Sequence, residues 1–239
     1  MVRGPPLAVP GSTRRRFGRL PGMELIGRGR EADVFALGET RVLRRLRDER
    51  PAADEARLMR WLGAQGYPVP AVHEAEGTDL VMERLHGPTM AEALRRRPWR
   101  APAYGAALGR LHRQLHALPD PGWLRPLPGS TGEARVLHLD LHPDNIIVTA
   151  DGPRVIDWTN ARVGPPEVDV AMTFVILRGI ELPPHERLVI RGLLRSMARA
   201  GGSDLRAGIP AAAEWKLGRD PNLSEAEAGL IRRLQRRHG

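Results

Sequence analysis

The sequence predicts an α+β protein of two lobes, a small antiparallel sheet followed by a mainly helical part. Two observations carry this. β-type segments crowd into the first third of the chain, and after Gly87-Pro88 the apolar spacing is helical over most of the remainder. The 239 residues suffice for one tightly coupled unit, with the first lobe over 23–85 and the second over 86–239.

Residues 1–22 are rich in Pro, Gly and Arg and have neither an apolar run nor a periodicity. They read as a disordered tail and not as a signal peptide, and Met23 is a candidate start. From Glu24 the pattern changes. Leu25-Ile26, Val34 to Leu37 and Arg41 to Leu46 form three strands around turns at Gly27–Gly29 and Gly38, an antiparallel meander. Pro51 suits the first turn of a helix in which Leu58, Met59 and Leu62 share one stripe. Glu55 falls on that buried stripe, and an unpaired carboxylate there is costly, so a cationic partner is expected. Gly63 and Gly66 end the helix, Tyr67-Pro68-Val69-Pro70 is a stiff connector, and Val72–Glu76 with Leu80–Glu83 makes a further hairpin.

Helices are expected over Met90–Arg96 and Tyr104–Leu118, the second with Leu108, Leu111 and Leu115 on one face. Ile146-Ile147-Val148 and Arg154-Val155-Ile156 flank Asp151-Gly152, a hairpin signal. From Val168 the chain reads as helical to the end. The last helix opens on Ser224 with Glu227 three residues on, and closes on arginines that complement its dipole.

Composition narrows the function classes. The net charge is +9, and Lys216 is the only lysine among 37 basic residues. The arginines are scattered, and aromatics make up only 4%, leaving few rings to stack on bases, so nucleic acid is not an expected partner. No stretch approaches the roughly 20 apolar residues of a membrane span, so no membrane partner and a cytoplasmic location are expected. Cysteine is absent, which excludes disulfide and thiolate chemistry.

The chemistry lies in His138-Leu139-Asp140-Leu141-His142-Pro143-Asp144-Asn145, followed by Val155-Ile156-Asp157-Trp158. Phosphoryl transfer needs a carboxylate near the attacking hydroxyl and hard oxygen ligands for Mg²⁺. Asp140 as base, with Asn145 and Asp157 as metal ligands, supplies that set, and the intervening hairpin folds the two ligands back together. Gly27-Arg28-Gly29-Arg30-Glu31-Ala32-Asp33-Val34 follows G-x-G-x-x-G-x-V with Ala32 at the third glycine. Glycines there let the backbone approach phosphates, and Val34 would pack on adenine.

The histidines admit other readings. His138 and His142 flank Asp140 as H-x-D-x-H, a spacing able to ligate zinc. That reading explains neither the glycine turn nor Asn145. His138 is therefore expected to hold the loop by hydrogen bonds, and His142 to lie near the phosphates. His112 and His116 stand i, i+4 on a helix; with no third ligand nearby in sequence, they read as surface or lobe-packing residues.

These motifs, in this order, resemble the aminoglycoside phosphotransferase and choline kinase-like family, whose fold is that of protein kinases. The resemblance spans Glu24 to Met172 and implies ATP and Mg²⁺ as cofactors and a small-molecule hydroxyl as acceptor. By position it implies Asp140 as catalytic base, and Asn145 and Asp157 as magnesium ligands. Gly27, Gly29 and Val34 fall in the nucleotide loop. Glu55 resembles the glutamate that pairs with a strand lysine, and Arg44 stands where that lysine is expected. Met82-Glu83-Arg84-Leu85 resembles the linker between lobes, with the backbone of Glu83 and Leu85 on adenine. Asp169 resembles a buried aspartate that braces the catalytic loop.

Arginine can fork onto phosphates or onto Glu55, but its reach differs from that of lysine. Arg44 is thus expected as a phosphate contact, against the alternative of an exposed strand arginine. The substitution also keeps open a kinase-fold nucleotide-binding module with little transfer. No A-P-E element follows Asp157, which speaks against a protein acceptor. Neither the acids of a polycation site nor the aromatics of a choline site are spelled out in the helical part.

Overall fold

The computed structural model describes residues 23–29, 31–130, 134–202, 204–220 and 223–238. The expected 1–22 tail lies outside the described residues, as does Arg30 of the glycine turn. The chain forms two compact units: one runs to Arg60 and includes Ala71–Arg84, and the other joins Trp61–Pro70 to the chain from Leu85 onward. The sequence reading placed 61–70 with the sheet. Its grouping with the helical unit has a physical cause, because the Val155 amide donates to the Pro68 carbonyl at 2.8 Å and Arg154 reaches the Val69 carbonyl at 3.3 Å.

The first unit holds strands β1 (Glu24–Arg28), β2 (Ala32–Leu37), β3 (Arg41–Leu46), β4 (Val72–Glu76) and β5 (Asp79–Glu83) and most of helix α1 (Ala52–Ala64). The strands form one antiparallel sheet in the order β1-β2-β3-β5-β4. Gly38 makes the β2–β3 turn at a φ of 76°, a conformation that favours glycine. β3 is the central strand, and Val42, Leu43 and Leu46 are buried in it, as are Leu80, Val81 and Met82 of neighbouring β5. The expected strands and the α1 stripe are all present.

The second unit contains α2 (Met90–Arg96), α3 (Ala101–His116), β6 (Arg135–Leu137), β7 (Ile146–Thr149), β8 (Gly152–Val155) and β9 (Arg162–Gly164). Helices α4 (Pro166–Gly179), α5 (Pro184–Gly201), α6 (Leu205–Arg219) and α7 (Glu225–His238) complete it. The helical stretch expected from Val168 to the end is divided into four helices, with breaks near Ile180, at Gly202 with φ 80°, and after Arg219. The capping box of Ser224 and Glu227 forms in both directions, at 3.1 and 3.0 Å. α4 buries residues on all sides, among them Val168, Met172 and Val175, and packs with Leu139, Ile209 and Ile231 in the core. α3 crosses α5 so closely that a Cβ on Gly105 would lie 2.1 Å from the Leu193 carbonyl oxygen. Only glycine permits that approach.

Candidate active site

Two short ladders position the loop from His138 to Asn145. β6 leads into it and pairs with β9, with Leu137 opposite Arg162. β7 leaves it and pairs with β8, Ile146 opposite Val155, around the Asp151-Gly152 turn. The β7–β8 hairpin was legible in sequence; the β6–β9 ladder was not, because three-residue strands carry no periodicity.

Within the loop, Asn145 donates through Nδ2 to the Asp140 carbonyl at 2.8 Å and to the Asp140 carboxylate at 3.2 Å. That fixes the amide orientation and turns Oδ1 away from Asp140. The Asn145 carbonyl accepts the Ile156 amide at 3.0 Å, which sets Asp157 one residue beyond. Asp157 adopts φ 65° and accepts the Thr159 hydroxyl at 2.8 Å. The structure thus brings Asp140 and Asn145 into direct contact and joins Asp157 to them through the backbone.

His138 holds the loop by two bonds. Its Nε2 lies 3.1 Å from the Ile156 carbonyl, which can only accept, so Nε2 carries the proton and Nδ1 accepts the Asp140 amide at 3.2 Å. The ring centroid lies 4.5 Å from that of Trp158, the planes tilted by 49°, and Trp158 is itself buried. The expectation that His138 acts through hydrogen bonds agrees with this geometry.

His142 faces Asp140 at 3.8 Å and Asp144 at 3.7 Å. Its Nδ1 also lies 3.3 Å from the Asp144 amide, which a neutral ring would accept and a charged ring would not. The carboxylates decide the matter. Burial works against the charge, but Asp140 and then Asp144 outweigh it and raise the imidazole to about 9. Burial likewise opposes ionisation of Asp140, yet His142, with Lys216 beyond it, holds its carboxyl below the usual carboxylate range. Asp140 is therefore ionised at neutral pH.

Behind the loop, Leu139 takes a φ of 60° and donates its amide to Asp169 at 2.6 Å. The other Asp169 oxygen lies 3.0 Å from His116 Nε2 and 3.4 Å from His112 Nδ1. His112 Nε2 meets the Thr173 hydroxyl at 3.0 Å, and that hydroxyl donates to the Leu141 carbonyl. Of the two expectations for His112 and His116, surface or packing residues, burial excludes the first: they are 0% and 9% exposed. Asp169, distant in sequence, is the third polar group of their cluster. The sequence marked Asp169 but offered no signal for Thr173.

In the sheet unit, Gly27 pairs with Val34, and Val34 with Arg44. Gly29 donates its amide to the Ala32 carbonyl at 2.8 Å, which tightens the glycine turn. Arg44 is 7% exposed and forms an ion pair with Glu55, also buried. The alternative of an exposed Arg44 is thereby excluded, and the cation that Glu55 demanded is identified. Glu83 donates its amide to the Ala71 carbonyl at 2.8 Å, and its carboxylate accepts the Ala71 amide at 3.0 Å. Leu85 follows, half-buried.

The loop bonds Asp140 to the downstream Asn145 and ties Asp157 to them through the backbone, and the family match gives the class: a phosphotransferase with a kinase-like α+β fold. The chain belongs to the phosphotransferase enzyme family, which it matches over residues 22–131 and 120–202. Solved structures agree on the fold. A thermostable mutant of aminoglycoside phosphotransferase APH(4)-Ia, in complex with AMP-PNP and hygromycin B, aligns with a TM-score of 0.66. It is 17% identical, over 92% of this chain and 95% of that one. A choline/ethanolamine kinase family protein from Mesorhizobium loti aligns at 0.55 with 19% identity, over 90% and 87% of the two chains. The streptomycin–ATP complex of APH(2")-IIa aligns at 0.57 with 14% identity, over 81% and 85%. No curated protein sequence matches the chain significantly. Among the described residues, no helix is long and apolar enough to cross a membrane.

Proposed function

We propose that this protein transfers the γ-phosphate of ATP to a hydroxyl group of a small molecule, with Asp140 as the base. Phosphoryl transfer from ATP to small molecules is the activity that the family and its fold carry. The observation that carries the residue assignment is the bond from Asn145 to Asp140, with the Ile156–Asn145 contact setting Asp157 beside them. Asn145 Oδ1 and the Asp157 carboxylate are the hard oxygen donors that Mg²⁺ prefers, and the bound ion would neutralise phosphate charge. Asp140, held ionised, orients the acceptor hydroxyl and takes its proton as the new O–P bond forms and the bond to the ADP oxygen breaks.

In the sheet unit, Gly27 and Gly29 would admit phosphate oxygens to the backbone, and Val34 would cover adenine. Arg44, aimed by Glu55, would contact phosphate in place of a lysine. Leu85 and the Glu83 carbonyl are the proposed adenine contacts, since the Glu83 amide is committed to Ala71. A cytoplasmic location, where ATP is abundant, goes with this reading.

The test is Mg²⁺-dependent ATP consumption over a panel of hydroxyl compounds, wild type against Asp140→Ala. Acceptor-dependent turnover that Asp140→Ala abolishes supports the reading. Equal inertness of both, with nucleotide still bound, would reduce the protein to a nucleotide-binding module.

A further inference from the structure

His112 and His116 stand four residues apart on α3, and Asp169 and Thr173 stand four apart on α4. That spacing puts each pair on one helix face, a turn apart. The two faces meet in register. His116 Nε2 lies 3.0 Å from the Asp169 carboxylate, and His112 Nε2 lies 3.0 Å from the Thr173 hydroxyl. All four side chains are buried.

Each α4 group also grips the catalytic loop, one on either side of Asp140. Asp169 accepts the Leu139 amide at 2.6 Å, and Thr173 donates its hydroxyl proton to the Leu141 carbonyl. Flipping the peptide plane before Leu139 would point a carbonyl at the Asp169 carboxylate. Flipping the plane after Leu141 would cost the Thr173 hydroxyl its acceptor. The grips are one helical turn apart, about 6 Å of rise, whereas three extended residues span roughly 10 Å. The loop contracts between them, and Leu139 accommodates this with its φ of 60°. Leu139 and Leu141 are 2% and 0% exposed, while the Asp140 side chain between them is 24% exposed, so the clamp presents Asp140 outward.

The protons assign the roles. The Thr173 hydroxyl has a single proton, which the Leu141 carbonyl takes, so the hydroxyl oxygen accepts from His112 and Nε2 is the protonated nitrogen. His112 thereby locks the hydroxyl rotor onto Leu141, as His116 orients the carboxylate that holds Leu139. Resting on the phosphotransfer reading, we propose that Thr173 is a positioning residue for the transfer. Its hydroxyl, aimed by His112, fixes the peptide that follows Asp140 and with it the direction in which the Asp140 carboxylate meets the acceptor hydroxyl. It acts through the backbone of Leu141. A shift of about 1 Å at a reacting group can cost on the order of a hundredfold in rate, so a grip on the adjoining peptide bears directly on kcat.

The experiment is steady-state kinetics of full-length variants with Mg·ATP, over a panel of hydroxyl compounds, with hydrogen–deuterium exchange of the amides from His138 to His142 as a second readout. Thr173→Val keeps the shape of the side chain and removes the hydroxyl. We expect kcat to fall about tenfold or more, the KM for ATP to stay within about twofold, and exchange in the loop to rise. Thr173→Ser keeps the hydroxyl and should retain most of kcat. Adding His112→Leu to Thr173→Val should cost less than the two changes cost separately, since both act on one hydroxyl. Should Thr173→Val fail to fold, His112→Leu alone tests the same grip through a lower kcat at an unchanged KM for ATP. Wild-type kcat in Thr173→Val, or a loss in Thr173→Ser as large as in Thr173→Val, overturns the inference and leaves phosphotransfer intact. No turnover above Asp140→Ala with any acceptor overturns both.

Discussion

The amide of Leu139 donates to Asp169 at 2.6 Å while Leu139 holds a φ of 60°. A non-glycine residue in that region costs about 1 kcal/mol or more, and it persists only where its surroundings over-determine it. Asp169 on α4 is that determinant, and the residue it holds adjoins Asp140. Asp169→Ala would leave the Leu139 amide and His116 Nε2 unpartnered in the core, at about 1–3 kcal/mol each. We expect urea unfolding to show a loss of about 2–5 kcal/mol, and kcat to fall by more than the KM for ATP rises. Asp169→Asn, which keeps an acceptor for Leu139, should be milder. Equal stability of Asp169→Ala and wild type would remove the bracing role.

Stability should depend on pH through His112. Burial lowers its pKa below the ordinary 6.5 despite the Asp169 carboxylate. The unfolded chain takes up a proton near 6.5 while the native state resists, so stability is full above that pH and declines as pH falls below it. The slope reaches at most about 1.4 kcal/mol per pH unit. His142 works in another window: with a pKa of about 9, its contribution is present below about 6.5 and lost as pH rises through 9. Asp169 matters lower still, because the imidazoles beside it outweigh burial and hold its carboxyl well below 3.8. Between pH 7 and 5, His112→Asn should therefore show a flatter denaturation midpoint than wild type, and identical profiles would remove His112 as the source.

What the sequence revealed, and what it hid, follows contact range. The strands of the sheet, the Asp151-Gly152 hairpin and the Ser224–Glu227 cap are set by neighbours in sequence, so periodicity and turn chemistry exposed them. Glu55 announced its need for a cation because a carboxylate on an apolar stripe is costly wherever the chain goes. The Arg45–Asp79 pair, with bonds of 2.7 and 2.8 Å, crosses 34 residues and carries no local sign. The same holds for Arg162 against Leu137, for Asp169 against His112 and His116, and for Lys216 within electrostatic reach of Asp140. The residue types of the candidate site were legible; the groups that aim and charge it come from elements that meet only on folding.

The Arg44–Glu55 pair offers a test of the lysine replacement. Removing one partner of a buried pair leaves an uncompensated charge and costs about 3–5 kcal/mol. Arg44→Ala and Glu55→Ala should each destabilise by that order in thermal or urea unfolding, while the paired Arg44→Leu/Glu55→Leu variant recovers much of it. Arg44→Lys keeps the charge with a single-point contact, so its stability loss should be smaller. If Arg44 contacts phosphate, Arg44→Leu/Glu55→Leu will fold yet show a KM for ATP raised about tenfold or more. An unchanged KM would assign the pair to the sheet alone.

Gly105, Gly109, His112 and His116 fall on one face of α3, since successive steps of four, three and four residues nearly complete whole turns. The first half of that face meets α5, where Cβ atoms on Gly105 and Gly109 would lie 2.1 and 2.4 Å from carbonyl oxygens of Leu193 and Met197. The second half meets Asp169. Displacing α3 at its glycines should therefore shift the imidazoles that flank the loop brace. Gly109→Ala is expected to cost about 1–3 kcal/mol through overpacking and to lower kcat, although it touches no substrate. Gly192→Ala on α5 is the matched control, because its Cβ would lie 4.0 Å from the Ala101 Cβ. There the helix gains up to about 1 kcal/mol from the better helix former, with activity unchanged. If both substitutions behave alike in melting temperature and kcat, the close α3–α5 crossing does not set the position of His112 and His116.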